Sequence, residues 1–357
     1  MEVGKIDLSH RLLLAPMAEV TDSSFRKIAK QFGAGLTFTQ MVSAKGVIEN
    51  QFETLRYLAF NKDEKPIGVQ ILGSDPQLIS ASVKEIIKYQ PDIIDLNCGC
   101  PKPKVTKHHM GSCLMETPQL VGEIIKRMYK AAEGVPISAK FRLGYDRTKI
   151  NILDNAKAAE DNGASLITVH ARARVDKYDT LPEWDWLRKV KEAVSIPVVG
   201  NGSVFSADDA IQMINETGVD TAMVARGALG NPFIFERFNS IREKNFDPGL
   251  PGVEIVRDTV LAHIKLIEKE YGNIRGLDYI KKNVIWYFKY FNGIYELISS
   301  VKGQNSIQAI EELIYKHTDK ILYKEYAEEN IQETKEKFKM KVLFWLVSDR
   351  IYSENLG

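Results

Sequence analysis

Cysteine is scarce. The 357 residues hold 3, all between Cys98 and Cys113. An odd number crowded into one stretch excludes a disulfide framework and points to a reducing compartment, so the expected location is the cytoplasm. An excess of one charge is also missing. With 48 basic and 47 acidic residues the formal net charge is +1, so a nucleic-acid partner has to be met by a local basic patch and not by a globally basic protein. No apolar run approaches the roughly 20 residues that cross a bilayer. The opening Met1-Glu2-Val3-Gly4-Lys5-Ile6-Asp7 lacks the apolar stretch of a signal peptide, so no membrane partner is expected. A glycine-rich dinucleotide loop is absent: neither Gly33-Ala34-Gly35 nor Gly200-Asn201-Gly202 completes that fingerprint. Cys98, Cys100, His108, His109 and Cys113 gather thiol and imidazole groups, but Cys-x-Cys is not the spacing of a zinc knuckle. No metal is expected, and Cys98 and Cys113 read as small core residues. There is no internal repeat and no low-complexity tract.

What is present is a rhythm. Short apolar segments recur at Leu12–Met17, Leu36–Val42, Ile67–Gly73, Ile93–Gly99, Ile137–Gly144, Leu166–Ala173, Ile196–Val204 and Thr221–Leu229. Between them lie stretches of helical spacing: Pro76–Tyr89, Thr117–Ala132, Ile152–Asn162, Trp184–Val194 and Ala207–Thr217. Ser206 before Ala207-Asp208-Asp209 reads as an N-cap, and Gly163 and Gly218 sit where helices should end. Eight strand–helix units match the size and alternation of a TIM (β/α)8 barrel. A doubly wound open sheet is the alternative, and it would carry the dinucleotide loop that is missing. After Pro232 the rhythm stops. From about Val253 the chain reads as helix after helix, broken at Gly272, Gly276, Gly293 and Gly303. The expected fold is α/β: a barrel over 1–240 followed by a smaller all-α domain over 241–357. That tail is neutral overall, yet Lys281–Lys289 and Lys335–Lys341 are locally basic with aromatics interleaved. The plainer reading is a lysine face over an apolar face; the sharper one is an RNA-facing surface.

In such a barrel the chemistry sits at the strands' C-terminal ends. Those ends carry Pro16, Met17 and Ala18, then Gln70, Asn97 with Cys100, Lys140 with Arg142, His170 with Arg172, Asn201-Gly202-Ser203, and Ala225-Arg226-Gly227. Buried amides, imidazoles and lysines are costly unless paired or bound to a ligand, so half a dozen in one register favour a polar ligand. Cys100 sits on the turn that ends Ile93-Ile94-Asp95-Leu96, with lysines just beyond it, and is the catalytic candidate. The glycines and Arg226 after the last two strands suit a phosphate, which such loops commonly bind. Lys140 suits negative charge developing on a ring.

These motifs resemble those of the tRNA-dihydrouridine synthases, most closely the bacterial DusB-type branch. The resemblance runs from about Leu12 to about Phe235. It is carried by Ala15-Pro16-Met17-Ala18 with Thr21-Asp22 and Phe25-Arg26, by Val69–Pro76, and by Asp95-Leu96-Asn97 with Gly99-Cys100-Pro101 and Lys104-Val105. Lys140-Phe141-Arg142-Leu143-Gly144, then His170 with Arg172 and Arg174, Asn201-Gly202 and Arg226–Pro232 complete it. In the tail, Lys281-Lys282 with Trp286-Tyr287 resembles the basic, aromatic helix of that family's RNA-binding domain. The resemblance implies an FMN-dependent barrel that uses NADPH, or NADH, to reduce the C5–C6 double bond of a uridine in tRNA. It implies that Pro16, Met17, Ala18, Gln70, Lys140 and His170 hold the flavin ring, and that Asn201, Gly202, Ser203, Ala225 and Arg226 take its phosphate. Asn97 and Arg142 would contact the flipped uracil, with Arg172, Arg174, Lys281 and Lys282 also on the substrate side. Hydride would pass from flavin N5 to uracil C6, and Cys100 would protonate C5.

Several positions depart from the family pattern. Glu19 stands where glycine is usual, Gln40 for glutamate, Ala173 for threonine, Thr180 for glycine, Ser203 for aspartate, Ala225 for glycine and Asn283 for histidine. They leave the target nucleotide open, with a ribosomal RNA as alternative to tRNA. Two other readings stay open: an FMN barrel acting on a small molecule, and an RNA-binding protein that has lost redox activity. The chain is expected to act as a monomer.

Overall fold

The computed structural model describes residues 1–289, 291 and 294–319. Their contacts divide the chain into two compact units. One comprises Met1–Gly227 with Ile234–Asp247, and the other Ala228–Phe233 with the chain from Pro248 onward.

The first unit is a parallel barrel. Its strands are β1 (Leu13–Leu14), β2 (Thr37–Phe38), β3 (Ile67–Leu72), β4 (Ile93–Cys98), β5 (Ile137–Phe141), β6 (Leu166–His170), β7 (Val198–Asn201) and β8 (Thr221–Val224). Their order around the sheet is β1-β8-β7-β6-β5-β4-β3-β2. The ring closes where Leu13 bridges Leu36, with the Leu14 N–H donating to the Leu36 carbonyl at 2.9 Å. The eight strands fall inside the eight apolar segments but end sooner, and beyond β2 a further two-residue strand, Val42–Ser43, resumes the pairing with β3 at Ile71 and Leu72. All residues of β3 and β4 are buried, as expected for strands covered on both faces.

The stretches of helical spacing form helices at Pro76–Ile86, Pro118–Ala131, Ile152–Asp161, Asp185–Ala193 and Ala207–Thr217, and Ser23–Gln31, Ala44–Ile48, Phe52–Leu58 and Phe233–Lys244 are helical as well. Their starts are set by local chemistry. Asp75 accepts the Leu78 N–H at 2.6 Å with Pro76 in the first turn, and Ser206 and Asp209 form a capping box. Gly218 ends its helix at φ 72°, a conformation cheap only for glycine.

A hairpin, Glu2–Val3 with Ile6–Asp7, was not legible in the sequence. Its Val3 and Ile6, with Leu8, share one buried cluster with Leu36, Phe38, Ile93 and Leu166. Ile93 and Leu166 begin their strands, so the hairpin stoppers the N-terminal end of the barrel and leaves the opposite end for function.

The second unit is helical: Val253–Tyr287, Ile294–Lys302 and Ile307–Thr318. The long helix is interrupted at Gly272, whose φ is 71° and ψ 178°. Gly276 lies inside the helix and Gly303 in the turn between two others; Gly293 lies outside the described residues. Gly230 is required by close approach, since a Cβ there would lie 2.1 Å from the Trp286 carbonyl carbon. No described helix is long and apolar enough to cross a membrane.

Candidate active site

The C-terminal ends of the strands carry a continuous polar layer. Register pairs Gln70 with Asp95, Asn97 with Lys140 and Asn201 with His170, so these groups rise from neighbouring strands at matched heights. Gln70 Nε2 donates to Asp95 Oδ2 at 2.7 Å, and Asn97 Nδ2 donates to Gln70 Oε1 at 2.8 Å. Across the ring, Lys140 Nζ donates to Asn201 Oδ1 at 3.2 Å, and Asn201 Nδ2 to the Met223 carbonyl at 2.8 Å.

Cys100 is half-buried on the turn beyond β4. Its N–H and that of Gly99 donate to Asn97 Oδ1 at 2.9 and 3.1 Å. From the adjacent strand Arg142 Nε donates to the Gly99 carbonyl at 3.0 Å and Nη1 to the Ala173 carbonyl at 2.7 Å. The turn is thus fixed from both sides. Burial raises the Cys100 pKa, opposed by a backbone hydrogen bond from Lys102 and by the charges of Arg142, Lys102 and Lys104. The resting thiol is protonated at neutral pH, and its conjugate base would have cations close by. The other cysteines differ. Cys98 is fully buried, as expected, while Cys113 is only partly so, with its Sγ 3.5 Å from the Thr106 carbonyl. Among the described residues no group of three or more His, Cys, Asp or Glu side chains is placed to hold a metal ion.

The remaining face of the mouth is cationic. His170 Nε2 lies 3.1 Å from Arg172 Nη1. Arginine only donates, so Nε2 accepts and the ring proton resides on Nδ1. Burial, then Arg142, Lys140, Arg172 and Arg226, hold the His170 pKa well below its usual value, so the imidazole is neutral. Arg172 Nε donates to the Thr180 carbonyl at 2.7 Å and Nη2 to Ser203 Oγ at 2.9 Å. Burial and then Arg226 lower its pKa to about 10. Lys140 falls to about 8, through burial first and then Arg142. Tyr178, on the loop after β6, ties these groups together. It stacks near His170, lies under the Arg226 guanidinium at 4.8 Å and hydrogen-bonds Arg142. Phe205 flanks Arg226 at 5.2 Å. Sequence reasoning missed Tyr178, whose one signal was an aromatic residue in an otherwise polar loop.

The turn after β8 comes very close to the one after β7: a Cβ on Gly227 would lie 2.2 Å from the Val204 carbonyl oxygen. Just before helix Ala207–Thr217, Asp209 Oδ2 accepts from the Phe205 and Ser206 N–H groups, both at 2.9 Å, and the Asp209 N–H donates to Ser206 Oγ at 3.1 Å. The groups that suit an anion here are Arg226 and the Gly202–Ser203 turn. Lys140, Arg172 and Arg226 with one buried strand carboxylate, Asp95, give the mouth an excess of positive charge that suits an anionic, phosphate-bearing group.

The other candidates are more scattered. Pro16, Met17, Ala18 and Ala225 lie at the ends of β1 and β8, and Thr21 secures Met17 by exchanging hydrogen bonds with its backbone. Glu19 adopts φ 62° and donates its N–H to Gln40 Oε1 at 2.7 Å, so two of the family departures meet, and the first occupies a backbone that glycine adopts most easily. The Arg174 guanidinium lies over the Tyr145 ring at 4.1 Å. In the helical unit, Lys281 Nζ donates to the Lys302 carbonyl at 3.1 Å. Lys282 is only 6% exposed, with its ammonium over Tyr279 and Trp286. Lys335–Lys341 lies outside the described residues.

A model of the family described as "Dihydrouridine synthase (Dus)" matches residues 13–336. The chain is 35% identical over 289 residues to the "tRNA-dihydrouridine synthase B" of Pasteurella multocida, covering 81% of this chain and 87% of that one. It is 34% identical over 315 residues to the "Probable tRNA-dihydrouridine synthase" of Rickettsia conorii, covering 88% and 95%. Among solved structures, 6-hydroxypseudooxynicotine amine oxidase of Pseudomonas geniculata superposes with a TM-score of 0.54 at 14% identity, over 73% of this chain and 52% of that one. That likeness speaks for the barrel fold alone.

Proposed function

The chain belongs to the dihydrouridine synthase family, and from that premise we propose that it is a tRNA-dihydrouridine synthase that binds FMN at the barrel mouth and draws reducing equivalents from NADPH. The observation that carries the assignment to this mouth is the Cys100 turn. It holds a protonated thiol at the edge of a polar layer whose cations suit a flavin phosphate. When bound, the flavin supplies hydride to C6 of the uracil ring.

The chain's own residues do the rest. Arg226, Gly202, Ser203 and Asn201 hold the phosphate side; Gln70, Lys140 and neutral His170 line the ring, with Pro16, Met17, Ala18 and Ala225 around it. Lys140 places positive charge where a reduced ring carries negative charge. Asn97 and Arg142 orient the uracil, which has to be extruded from the RNA to reach this depth. Cys100 Sγ gives its proton to C5 and is left as a thiolate. Arg142, Lys102 and Lys104 stabilise that thiolate until water reprotonates it, so one hydride and one proton are added to the double bond. On this reading residues 1–240 are the catalytic domain and 241–357 the RNA-binding domain of a cytoplasmic enzyme.

The test is a mass-spectrometric map of dihydrouridine in tRNA and ribosomal RNA from cells with and without the gene. Loss at one tRNA position is expected; loss only in ribosomal RNA would redirect the substrate, and loss nowhere would overturn the activity. With purified protein, Cys100→Ala should retain flavin and NADPH oxidation but lose at least about 100-fold in dihydrouridine formation, the usual worth of general acid catalysis. Unchanged product yield would remove Cys100 from the mechanism.

A further inference from the structure

Asp95 is the only acidic residue in the eight barrel strands, and the chemistry above gives it no task. It lies two residues before Asn97 on the same face of β4 and is buried. Each carboxylate oxygen has its own donor: Ser138 Oγ to Oδ1 and Gln70 Nε2 to Oδ2, both at 2.7 Å.

The order of donors and acceptors along this row is forced. An ionised carboxylate only accepts, so Gln70 must turn its NH2 group toward Asp95. The other end of that amide, Oε1, then faces Asn97, which must donate from Nδ2. That leaves Asn97 Oδ1 facing the N–H groups of Gly99 and Cys100. Side-chain amides have nearly the same shape at both ends and differ in which end donates. Reversing Gln70 would set its oxygen against a carboxylate oxygen and its NH2 against that of Asn97. Reversing Asn97 would set its NH2 against two backbone N–H groups. A carboxylate at the head of the row removes both alternatives.

We infer that Asp95 is a positioning residue: it sets the donor–acceptor direction of the Gln70–Asn97 row and, through that row, the turn that carries Cys100. The same direction points the second N–H of Gln70 Nε2 away from Asp95, where it suits a carbonyl oxygen of a ring ligand, while Asn97 Nδ2 also donates to Met41 Sδ at 3.7 Å. The catalytic consequence rests on Cys100 being the proton donor proposed above. The geometric consequence does not.

The test compares flavin-loaded wild type, Asp95→Asn and the double variant Asp95→Asn/Gln70→Glu. Asparagine is close to isosteric but can donate, so it allows the row to reverse. The double variant moves the acceptor-only group one place along. Its introduced carboxylate accepts from both neighbours and restores Asn97. The readout is the rate at which iodoacetamide alkylates Cys100, located by peptide mass spectrometry to separate it from Cys98 and Cys113. Asp95→Asn should change that rate by about fivefold, what one ordinary hydrogen bond is worth, and the double variant should return it to the wild-type rate. In dihydrouridine formation Asp95→Asn should lower kcat with little change in KM for the RNA.

An unchanged Cys100 rate in Asp95→Asn would overturn the inference, as would a double variant that reacts like the single one. If Asp95→Asn does not fold, a double variant that folds and reacts at the wild-type rate supports the inference, and one that also fails to fold overturns it. Because alkylation needs no turnover, the comparison decides this point even if uridine reduction fails its own test.

Discussion

At the scale of single residues, two buried groups pull the protein's acid response in opposite directions. Burial raises the Asp95 pKa from 3.8 to about 6, against the hydrogen bonds from Gln70 and Ser138. The folded state therefore holds this proton where the unfolded one has released it, so stability rises as pH falls through about 6. His170 is shifted the other way, well below 6.5. Below 6.5 the unfolded chain takes up a proton that the folded chain refuses, so stability falls with acidification. From about pH 7.5 to about pH 5.5 the histidine alone should cost about 1.4 kcal/mol. Urea unfolding at both pH values should show His170→Asn gaining about that much on the parent at the lower one. An equal response in both proteins would mean that His170 is charged in the fold. Cys100, Lys140 and Arg226 were legible in the sequence because reactive or charged groups stood at strand ends. Asp95 stood in the open as well, in Ile93-Ile94-Asp95-Leu96, but a single acid in an apolar run does not announce its partners. Those come from β3 and β5 and become neighbours only through sheet register.

At the scale of elements, the helical unit separates two lysines that adjacency in sequence makes look alike. Lys281 reaches the carbonyl of Lys302, the last residue of the next helix. Lys282 lies among Tyr279 and Trp286 with little exposure. Lys281→Glu should cost about 1 kcal/mol, the loss of one hydrogen bond. Lys282→Glu should cost about 3 kcal/mol or more, because it buries a charge without a partner. Thermal melts of the two variants test the difference. Equal losses would mean that the second lysine is not buried in solution. RNA affinity is therefore best probed through Lys281 alone, since Lys282→Glu disturbs the fold first. Strand and helix positions followed from periodicity, since a strand covered on both faces and a capped amphipathic helix each leave a local pattern. The early ends of the strands did not follow, because the residues there are chosen for the mouth and not for the ladder.

At the scale of the whole molecule, a chain of net charge +1 concentrates cations in one place. Lys140 and Arg172 have lowered pKa values because burial and their neighbours oppose each positive charge. An anion relieves that opposition, so inorganic phosphate should stabilise the flavin-free protein. At ten times its dissociation constant the gain is about 1.4 kcal/mol, visible as a rise in Tm that Arg226→Gln should abolish. A Tm indifferent to phosphate would place the anion site elsewhere. The barrel itself was legible from eight apolar segments, but its stopper was not. Val3, Ile6 and Leu8 lie in a short, partly charged stretch without strand periodicity, and their meaning appears only with the cluster they complete.

That stopper has a consequence in time. Its residues leave the ribosome well ahead of Leu166, Val199 and Met223 of the same cluster. At roughly 5–20 residues per second, the interval from Leu8 to Met223 is about 10–40 s. For that long Val3, Ile6 and Leu8 travel uncovered ahead of the barrel they close, a nascent segment for chaperones to hold until the last strand is made.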